Sequence, residues 1–161
     1  PLYNLKTIYS SILTKNKIVL IDKKEQKERK SLNYGHTLGH AIESYFLNSD
    51  NKLLHGEAVS IGIVLASFLS NKLFNFSIEH VNSIKNHINC VYKKIEINDD
   101  QINSIIDLLI HDKKNSHGKI NFILLKDIAK PVYDVQVKTE FIKESFKYYL
   151  SWIPTSINVS K

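Results

Sequence analysis

The segment from Ala58 to Leu69 is apolar on nearly every side of the helix that its composition favours. A helix without a polar face must be surrounded by other elements, so this segment is predicted to be the central helix of the fold. Its small residues, Gly62 among them, would let neighbouring helices approach closely. The run suits a core helix and is shorter than the roughly 20 residues that cross a bilayer, so no membrane partner is expected.

Turn-forming residues are scarce, since Gly and Pro together number eight among 161 residues. Sparse turns favour long helices over many short strands, and 43% hydrophobic residues can fill the core of one domain. The fold class is therefore predicted to be mainly α, a multihelical domain with a small two-stranded β element near the C-terminus. The predicted helices are 5–12, 18–30, 36–46, 58–69, 77–88 capped by Ser77, 98–111 with an Asn98/Gln101 capping box, and 139–150 capped by Thr139 and stopped before Pro154; the predicted strands are 120–125 and 132–137, on either side of Pro131.

The net charge of +6 suits an anionic partner, but the lysines are spread along the chain, so nucleic-acid binding is not favoured. The single cysteine, Cys90, excludes an internal disulfide and is expected to be a small buried residue, which indicates a reducing compartment. No leader segment is recognised, so a cytoplasmic location is expected. The chain starts at Pro1 and contains no Met, which suggests an excised domain or a processed fragment.

Histidine and glycine are concentrated between residues 29 and 62, which hold three of the seven histidines and four of the five glycines. His36 and His40 lie on one face of a predicted helix, where two imidazoles can share a divalent ion. The zinc-protease pattern is absent, because Thr37 stands where that pattern has Glu. His55, in a glycine-flanked turn, strengthens the case for a metal site. The third ligand stays open among His40, Glu43, Glu57 and a group outside this chain.

Charged side chains nearby could hold an anionic substrate, because Arg forks and Lys point charges bind phosphate and carboxylate. Taken singly, each is more simply explained as surface charge. The candidates are Lys15, Glu25, Arg29, Lys113 and Lys114.

One long motif runs from Arg29 to Gly62: Arg29-x-x-Leu32-Asn33-x-Gly35-His36-Thr37-x-Gly39-His40-Ala41-Ile42-Glu43, then Leu54-His55-Gly56-Glu57-Ala58-Val59-x-Ile61-Gly62. This motif closely resembles the signature of the 3-dehydroquinate synthase family. Flanking residues also fit the family's spacing, and the resemblance covers essentially the whole chain but only the carboxyl-terminal half of the enzyme. The flanking matches are Lys15, Val19, Asp22, Glu25 and Arg29 before the motif, and Asp112-Lys113-Lys114, Gly118-Lys119-Ile120 and Phe122 to Leu125 after it.

The resemblance implies a helical metal-binding half that faces an NAD-binding α/β half across the active-site cleft. His36 and His55 match two zinc ligands, and His40 matches a histidine that assists proton transfer. Glu25 falls at an acid/base position. The positions that match substrate contacts are Lys15, Arg29, Asn33 and one lysine of the Lys113-Lys114 pair.

The activity implied by the resemblance is the conversion of 3-deoxy-D-arabino-heptulosonate 7-phosphate to 3-dehydroquinate and phosphate, a step of the shikimate pathway. The full-length enzyme would use NAD and Zn²⁺ or Co²⁺ and would be a homodimer. Residues 1–161 then form one helical domain, and the NAD-binding domain, with the third zinc ligand, is absent. We therefore expect this chain to fold, to bind metal weakly, and neither to bind NAD nor to turn over substrate.

Two other functions compete with this interpretation. A related sugar-phosphate cyclase or a metal-dependent polyol dehydrogenase shares the two-half architecture, although a polyol dehydrogenase has less need for anion-binding lysines. A non-catalytic, basic helical module that binds nucleic acid is a different class, and its binding would depend on salt but not on His36 or His55.

Overall fold

The structure is a computed structural model that describes residues 4–114 and 120–151, with the side chains of 112–114 outside that description. Within these ranges the chain is mainly helical, with one two-stranded antiparallel sheet, as the sequence predicts. The elements in chain order are α1 Leu5–Ile21, a 3₁₀ helix Glu28–Asn33, α2 His36–Phe46, α3 His55–Phe74, α4 Ile78–Val91, α5 Asp99–Lys114, β1 Phe122–Asp127, β2 Lys130–Val135 and α6 Thr139–Leu150.

The apolar helix α3 lies at the centre of the fold, as predicted, and packs against α2, α4, α6 and β1. Side chains from all sides of α3, such as Ala58, Val64 and Ser70, are completely buried. By length and composition alone α3 could cross a membrane, and no other helix of the described residues could. Its place among four packed elements accounts for that composition, because a helix enclosed by neighbours needs no polar face.

Three glycines set the distance between α2 and α3. A Cβ atom on Gly62 would lie 2.1 Å from the Gly35 carbonyl oxygen, and one on Gly39 would lie 2.9 Å from the Val59 Cα. Gly35 has a φ of +79°, which favours glycine, and its own Cβ would meet the Ile63 nitrogen at 2.7 Å. The glycines of the motif are therefore needed where the N-terminal part of α2 contacts the backbone of α3.

The charged run from Asp22 to Lys30 is not the second helix that its charge pattern predicts. Helix α1 continues unbroken through the apolar residues Ile18 to Ile21, and an irregular turn follows it. The Asp22 carboxylate offers backbone N–H groups an alternative to helical bonding, which is a known effect of Asp side chains. Its three donors are the backbone N–H groups of Gln26, Lys27 and Arg29, at 3.0, 2.7 and 3.1 Å.

The predicted β-hairpin is present, but its turn is displaced. The strands are joined at Ile128 and Ala129, and Pro131 lies inside β2 opposite Leu125 rather than between the strands. A two-stranded sheet consists of edge strands only, so a residue without an N–H group is tolerated there. Ala129 completes the turn with a φ of 59°.

The predicted helix caps are mostly confirmed. The Ser77 hydroxyl accepts from the His80 N–H, and Asn98 and Gln101 form reciprocal bonds of 2.9 and 2.8 Å. Thr139 is not a cap, because it is the first residue of α6 and Lys138 precedes the helix.

Three further expectations concern single positions. Helix α5 extends to Lys114, three residues beyond the predicted end at His111. Cys90 is exposed, so the expectation of a buried cysteine is wrong. It lies in the last turn of α4, where its side chain faces outward. Pro154 falls outside the described residues.

Candidate metal centre and substrate cleft

Three histidines from two helices meet at the N-terminal ends of α2 and α3. His36 and His40 lie one turn apart on α2, and His55 is the first residue of α3. Their ring centroids are 5.4 to 5.7 Å apart, and each offers a ring nitrogen within 4.8 Å of the other two. Among the described residues, this is the one group of three or more metal-binding side chain types close enough to hold an ion.

Hydrogen bonds orient two of these rings. The Nδ1 atom of His36 lies 3.3 Å from the Tyr34 carbonyl oxygen, which can only accept, so Nδ1 carries the proton there. The Nδ1 atom of His55 lies 3.0 Å from the Glu43 carboxylate. In the neutral form of both rings, these contacts leave Nε2 as the nitrogen with the lone pair, which is the arrangement found for histidine ligands of metals.

The structure separates the candidates for a third ligand. His40 lies within the cluster, whereas Glu43 bonds to His55. Glu57 accepts the Leu54 N–H at 2.8 Å and thereby caps α3. Within this chain, His40 is the candidate whose ring nitrogen lies beside those of the other two histidines.

The imidazole set fits Zn²⁺ or Co²⁺, since imidazole nitrogen suits both ions. A tetrahedral zinc with nitrogen ligands at about 2.0–2.1 Å places two ligand nitrogens roughly 3.4 Å apart. The histidine nitrogens are separated by up to 4.8 Å. Small rotations of the rings would therefore be needed before all three could bind one ion.

A cleft of about 210 Å³ adjoins the cluster, and His36 forms part of its wall. Glu25 lines this cleft together with the predicted substrate contacts Lys15, Arg29 and Asn33. Lys113 and Lys114 lie in the last turn of α5, and their side chains fall outside the described residues. The lining residues are Lys15, Val19, Glu25, Arg29, Leu32, Asn33 and His36.

Glu25 holds two of the cleft's polar side chains in place. One carboxylate oxygen accepts from the Asn33 amide at 2.5 Å, and the other lies 3.4 Å from Nε of Arg29. Glu25 and Arg29 are four residues apart, as in a helical ion pair, but Glu25 lies outside any helix and has a φ of 54°. The turn, rather than helical spacing, brings the two side chains together.

Asp22 supports the candidate cleft, a role that the sequence pattern did not predict. Backbone N–H groups of Gln26, Lys27 and Arg29 hold the pKa of its carboxyl below the usual range, with a smaller contribution from the Arg29 charge. The bonds fix the turn that carries Glu25 and Arg29. An Asp directly after an apolar helix and before a polar turn is the signal that could have indicated this role.

The hairpin supports the same turn from the other side. Lys30 forms an ion pair of 2.5 Å with Asp134 of β2. Tyr133 lies near Glu28 and Asp22, and its pKa is raised first by burial and then by these two charges. The small sheet near the C-terminus therefore contacts the segment that positions the cleft residues.

Comparison with known proteins identifies the family. The family model for the 3-dehydroquinate synthase C-terminal domain matches residues 3–115. The chain belongs to this family. It is 40% identical over 139 residues to the 3-dehydroquinate synthase of Parabacteroides distasonis, and 39% identical over 150 residues to that of Pelagibacter ubique. These matches cover 86% and 89% of the chain but only 39% and 40% of the relatives, so the chain spans about two fifths of their length.

Solved structures of related synthases share the fold. A 2-deoxy-scyllo-inosose synthase, complexed with carbaglucose-6-phosphate, NAD⁺ and Co²⁺, matches with a TM-score of 0.62 and 30% identity over 77% of this chain and 35% of that chain. A 2-epi-5-epi-valiolone synthase from Streptomyces hygroscopicus, with NAD⁺ and Zn²⁺ bound, matches with a TM-score of 0.68 over 90% of this chain and 39% of that one. At 17% identity, the second match shows the fold alone.

Proposed function

We propose that this chain is the metal- and substrate-binding half of a 3-dehydroquinate synthase. The whole enzyme would convert 3-deoxy-D-arabino-heptulosonate 7-phosphate to 3-dehydroquinate and phosphate in aromatic amino acid biosynthesis. The observation that carries the proposal is that Lys15, Arg29 and Asn33 line one cleft whose wall includes His36. Two cationic side chains beside an imidazole cluster suit a phosphorylated sugar acid that reacts at a metal.

His36 and His55 are the proposed ligands for Zn²⁺ or Co²⁺, with the third ligand supplied from the rest of the enzyme. When bound, the metal would polarise alcohol and ketone oxygens of the substrate. Tyr34 and Glu43 hold the two ligand rings with Nε2 available. His40, in the same cluster, is the proposed proton carrier, because imidazole exchanges protons near neutrality.

The cleft residues would divide the remaining tasks. Lys15 and Arg29 would bind the anionic groups of the substrate, and Asn33 would orient its hydroxyl groups. Glu25, which accepts from Asn33 and forms an ion pair with Arg29, would move a proton within the cleft. One lysine of the pair Lys113 and Lys114 would add a further cation.

Several properties belong to the whole enzyme rather than to this domain. NAD would bind to the part of the enzyme that lies outside the C-terminal domain, since no Gly-rich dinucleotide loop occurs in residues 1–161. We propose that the chain alone neither binds NAD nor turns over substrate, and that the whole enzyme is a cytoplasmic homodimer. The greater length of the relatives, of which the chain covers 39% and 40%, is consistent with such a second part.

A reconstitution assay tests this proposal. The chain would be mixed with the N-terminal part of the Parabacteroides distasonis enzyme, together with NAD, Zn²⁺ and the heptulosonate phosphate, and dehydroquinate would be measured. We expect product from the pair and none from either part alone. His55→Ala should abolish product formation, whereas His87→Ala, at an exposed position on α4, should not. Product from the chain alone would contradict the proposal that it is half of an active site.

A related sugar-phosphate cyclase is the second candidate, favoured by the 30% identity with the inosose synthase. The same reconstituted pair separates the two functions when it is given other sugar phosphates, glucose 6-phosphate among them. Turnover of one of these in preference to the heptulosonate phosphate would favour the second candidate.

A further inference from the structure

Helix α1 carries an apolar stripe that faces solvent. No residue of this 17-residue helix is buried, and it packs mainly against the 3₁₀ helix that follows it. Contiguous exposed apolar surface of this kind marks an interaction site more often than scattered single residues do. The stripe consists of Leu5, Ile8, Tyr9 and Ile12, whose exposed fractions are 82%, 43%, 64% and 59%.

The stripe is continuous with the wall of the substrate cleft. Ile8 and Ile12 are followed at helical spacing by Lys15 and Val19, so all four lie along one side of α1. Lys15 and Val19 line the cleft beside His36. A partner seated on the stripe would therefore lie at the mouth of the cleft.

We propose that this stripe is the surface on which the preceding part of the enzyme docks. The inference rests on the proposed function, in which this domain works with a second part. The family match is to a C-terminal domain, and the chain covers only 39% and 40% of the length of two relatives. Because the matched model describes a C-terminal domain, we place the relatives' additional length before it.

Charge favours this occupant over a second copy of the chain. Residues 5–30 contain eight basic and three acidic side chains and so carry +5 of the chain's formal charge of +6. Two copies meeting through α1 would bring these like charges together, which is unfavourable. The surface of the preceding part that contacts the stripe should instead be apolar with an acidic rim. This rim would pair with lysines beside the stripe such as Lys6 and Lys17.

The test measures binding of the chain to the N-terminal part of the Parabacteroides distasonis enzyme by calorimetry, once a cooperative melt shows that this probe is folded. The variant carries Ile8→Glu and Ile12→Glu, both at exposed positions, and circular dichroism checks its helix content. The matched control is Leu108→Glu on α5, a position that is 38% exposed. We expect the double variant to bind about tenfold or more weakly, and the control to bind like the wild type.

The proposed docking surface would be wrong if the double variant bound the probe as tightly as the wild type does. It would also be wrong if the wild-type chain did not bind the folded probe. Sedimentation that shows a dimer of the chain, lost in the double variant, would overturn the assigned occupant. The assay for dehydroquinate separates this inference from the proposed function. A double-variant pair with full activity contradicts only the surface, whereas a wild-type pair that binds but makes no product contradicts only the function.

Discussion

Gly62 of α3 lies so close to Gly35 that a Cβ atom on Gly62 would come within 2.1 Å of the Gly35 carbonyl oxygen. Gly35 directly precedes His36, so this contact fixes where α2 begins relative to α3. The separation between His36 and His55 depends on the same helix packing. The glycines and the histidines of the motif therefore serve one structure, in which close backbone packing brings imidazoles from two helices together.

Replacing Gly62 with Ala should destabilise the protein and lower its affinity for metal. The added methyl group meets backbone atoms that cannot rotate away, and overpacking of this kind costs about 1–3 kcal/mol of unfolding free energy. Urea denaturation measures the loss. The control is Gly56→Ala, since the nearest atom to a Cβ there is the Tyr92 hydroxyl oxygen at 3.9 Å. That variant should be no less stable than the wild type, and equal stability of the two variants would disprove the packing argument.

Replacing Asp22 with Ala should loosen the turn that carries Glu25 and Arg29. Hydrogen exchange would show the loss as faster exchange of the three amides that Asp22 accepts, roughly tenfold or more, while helix α3 keeps its protection. Asp50→Ala, in an exposed turn, should leave these amides unchanged. If the amides of Gln26, Lys27 and Arg29 exchange as slowly in the variant as in the wild type, Asp22 does not stabilise the turn.

The same turn should loosen in acid. The pKa of the Asp22 carboxyl is lowered in the folded state, so its stabilising effect is complete above the ordinary value near 3.8. The effect is lost as the pH falls through the lowered folded-state pKa. The Asp22→Ala variant should lack this part of the acid dependence.

Lys85 should make the stability of the fold depend on pH in the alkaline range. Its side chain is 1% exposed and donates to the carbonyl oxygens of Tyr148 and Ser151 at the end of α6. Burial, with a smaller contribution from the charge of Lys94, lowers its pKa to about 8 from 10.5. Between these values the unfolded state binds more protons, so the free energy of unfolding should rise with pH, by about 2 kcal/mol from about pH 7 to about pH 9.5.

Denaturation of the Lys85→Met variant across this range checks the effect. Its stability should no longer rise with pH, whatever its absolute value, because the titrating group is gone. Lys143→Met, at an exposed position on α6, should keep the rise. The measurements end at about pH 9.5 so that tyrosine ionisation does not interfere. Burial raises the pKa of Tyr148 to about 12, so at higher pH the tyrosines of the unfolded state ionise first and lower the stability. If the free energy of unfolding still rises with pH in Lys85→Met, another titrating group causes the rise.

Helices and strands with strong local signals could be predicted from the sequence. The apolar run around Val64 had to be buried, and the Asn98/Gln101 capping box marked the start of α5, because both signals depend on neighbours in the chain. The turn after Ile21 could not be predicted from charge spacing. One carboxylate, Asp22, satisfies three backbone groups there, and a pattern of charges does not reveal that competition.

The site was predictable in its residues more than in its arrangement. The spacing of His36 and His40 placed both on one helix face, but the approach of His55 depends on packing at Gly62 and Gly39. Likewise, Lys15 and Asn33 are far apart in sequence and share a cleft only because the turn folds back beside α1. Contacts of this kind come from tertiary packing, which local patterns do not encode.

Glu43 should control metal affinity although it is not a proposed ligand. Its carboxylate lies 3.0 Å from Nδ1 of His55, and removing such a partner costs about 10–100-fold in metal affinity. Competition with a chromophoric chelator would measure the affinity of Glu43→Gln for Co²⁺. Glu140→Gln, exposed at the start of α6, is the control and should bind like the wild type. Unchanged affinity in Glu43→Gln would show that this carboxylate does not support the site.

A calorimetric titration of the tag-free chain with Zn²⁺ shows whether this domain alone carries the metal-binding histidines. We expect one weak site, with a dissociation constant in the micromolar range or weaker, that is lost in His36→Ala and in His55→Ala and retained in His87→Ala. Tight stoichiometric binding would contradict the proposal that a ligand is missing from this chain. Binding that survives both His36→Ala and His55→Ala would contradict the metal centre itself.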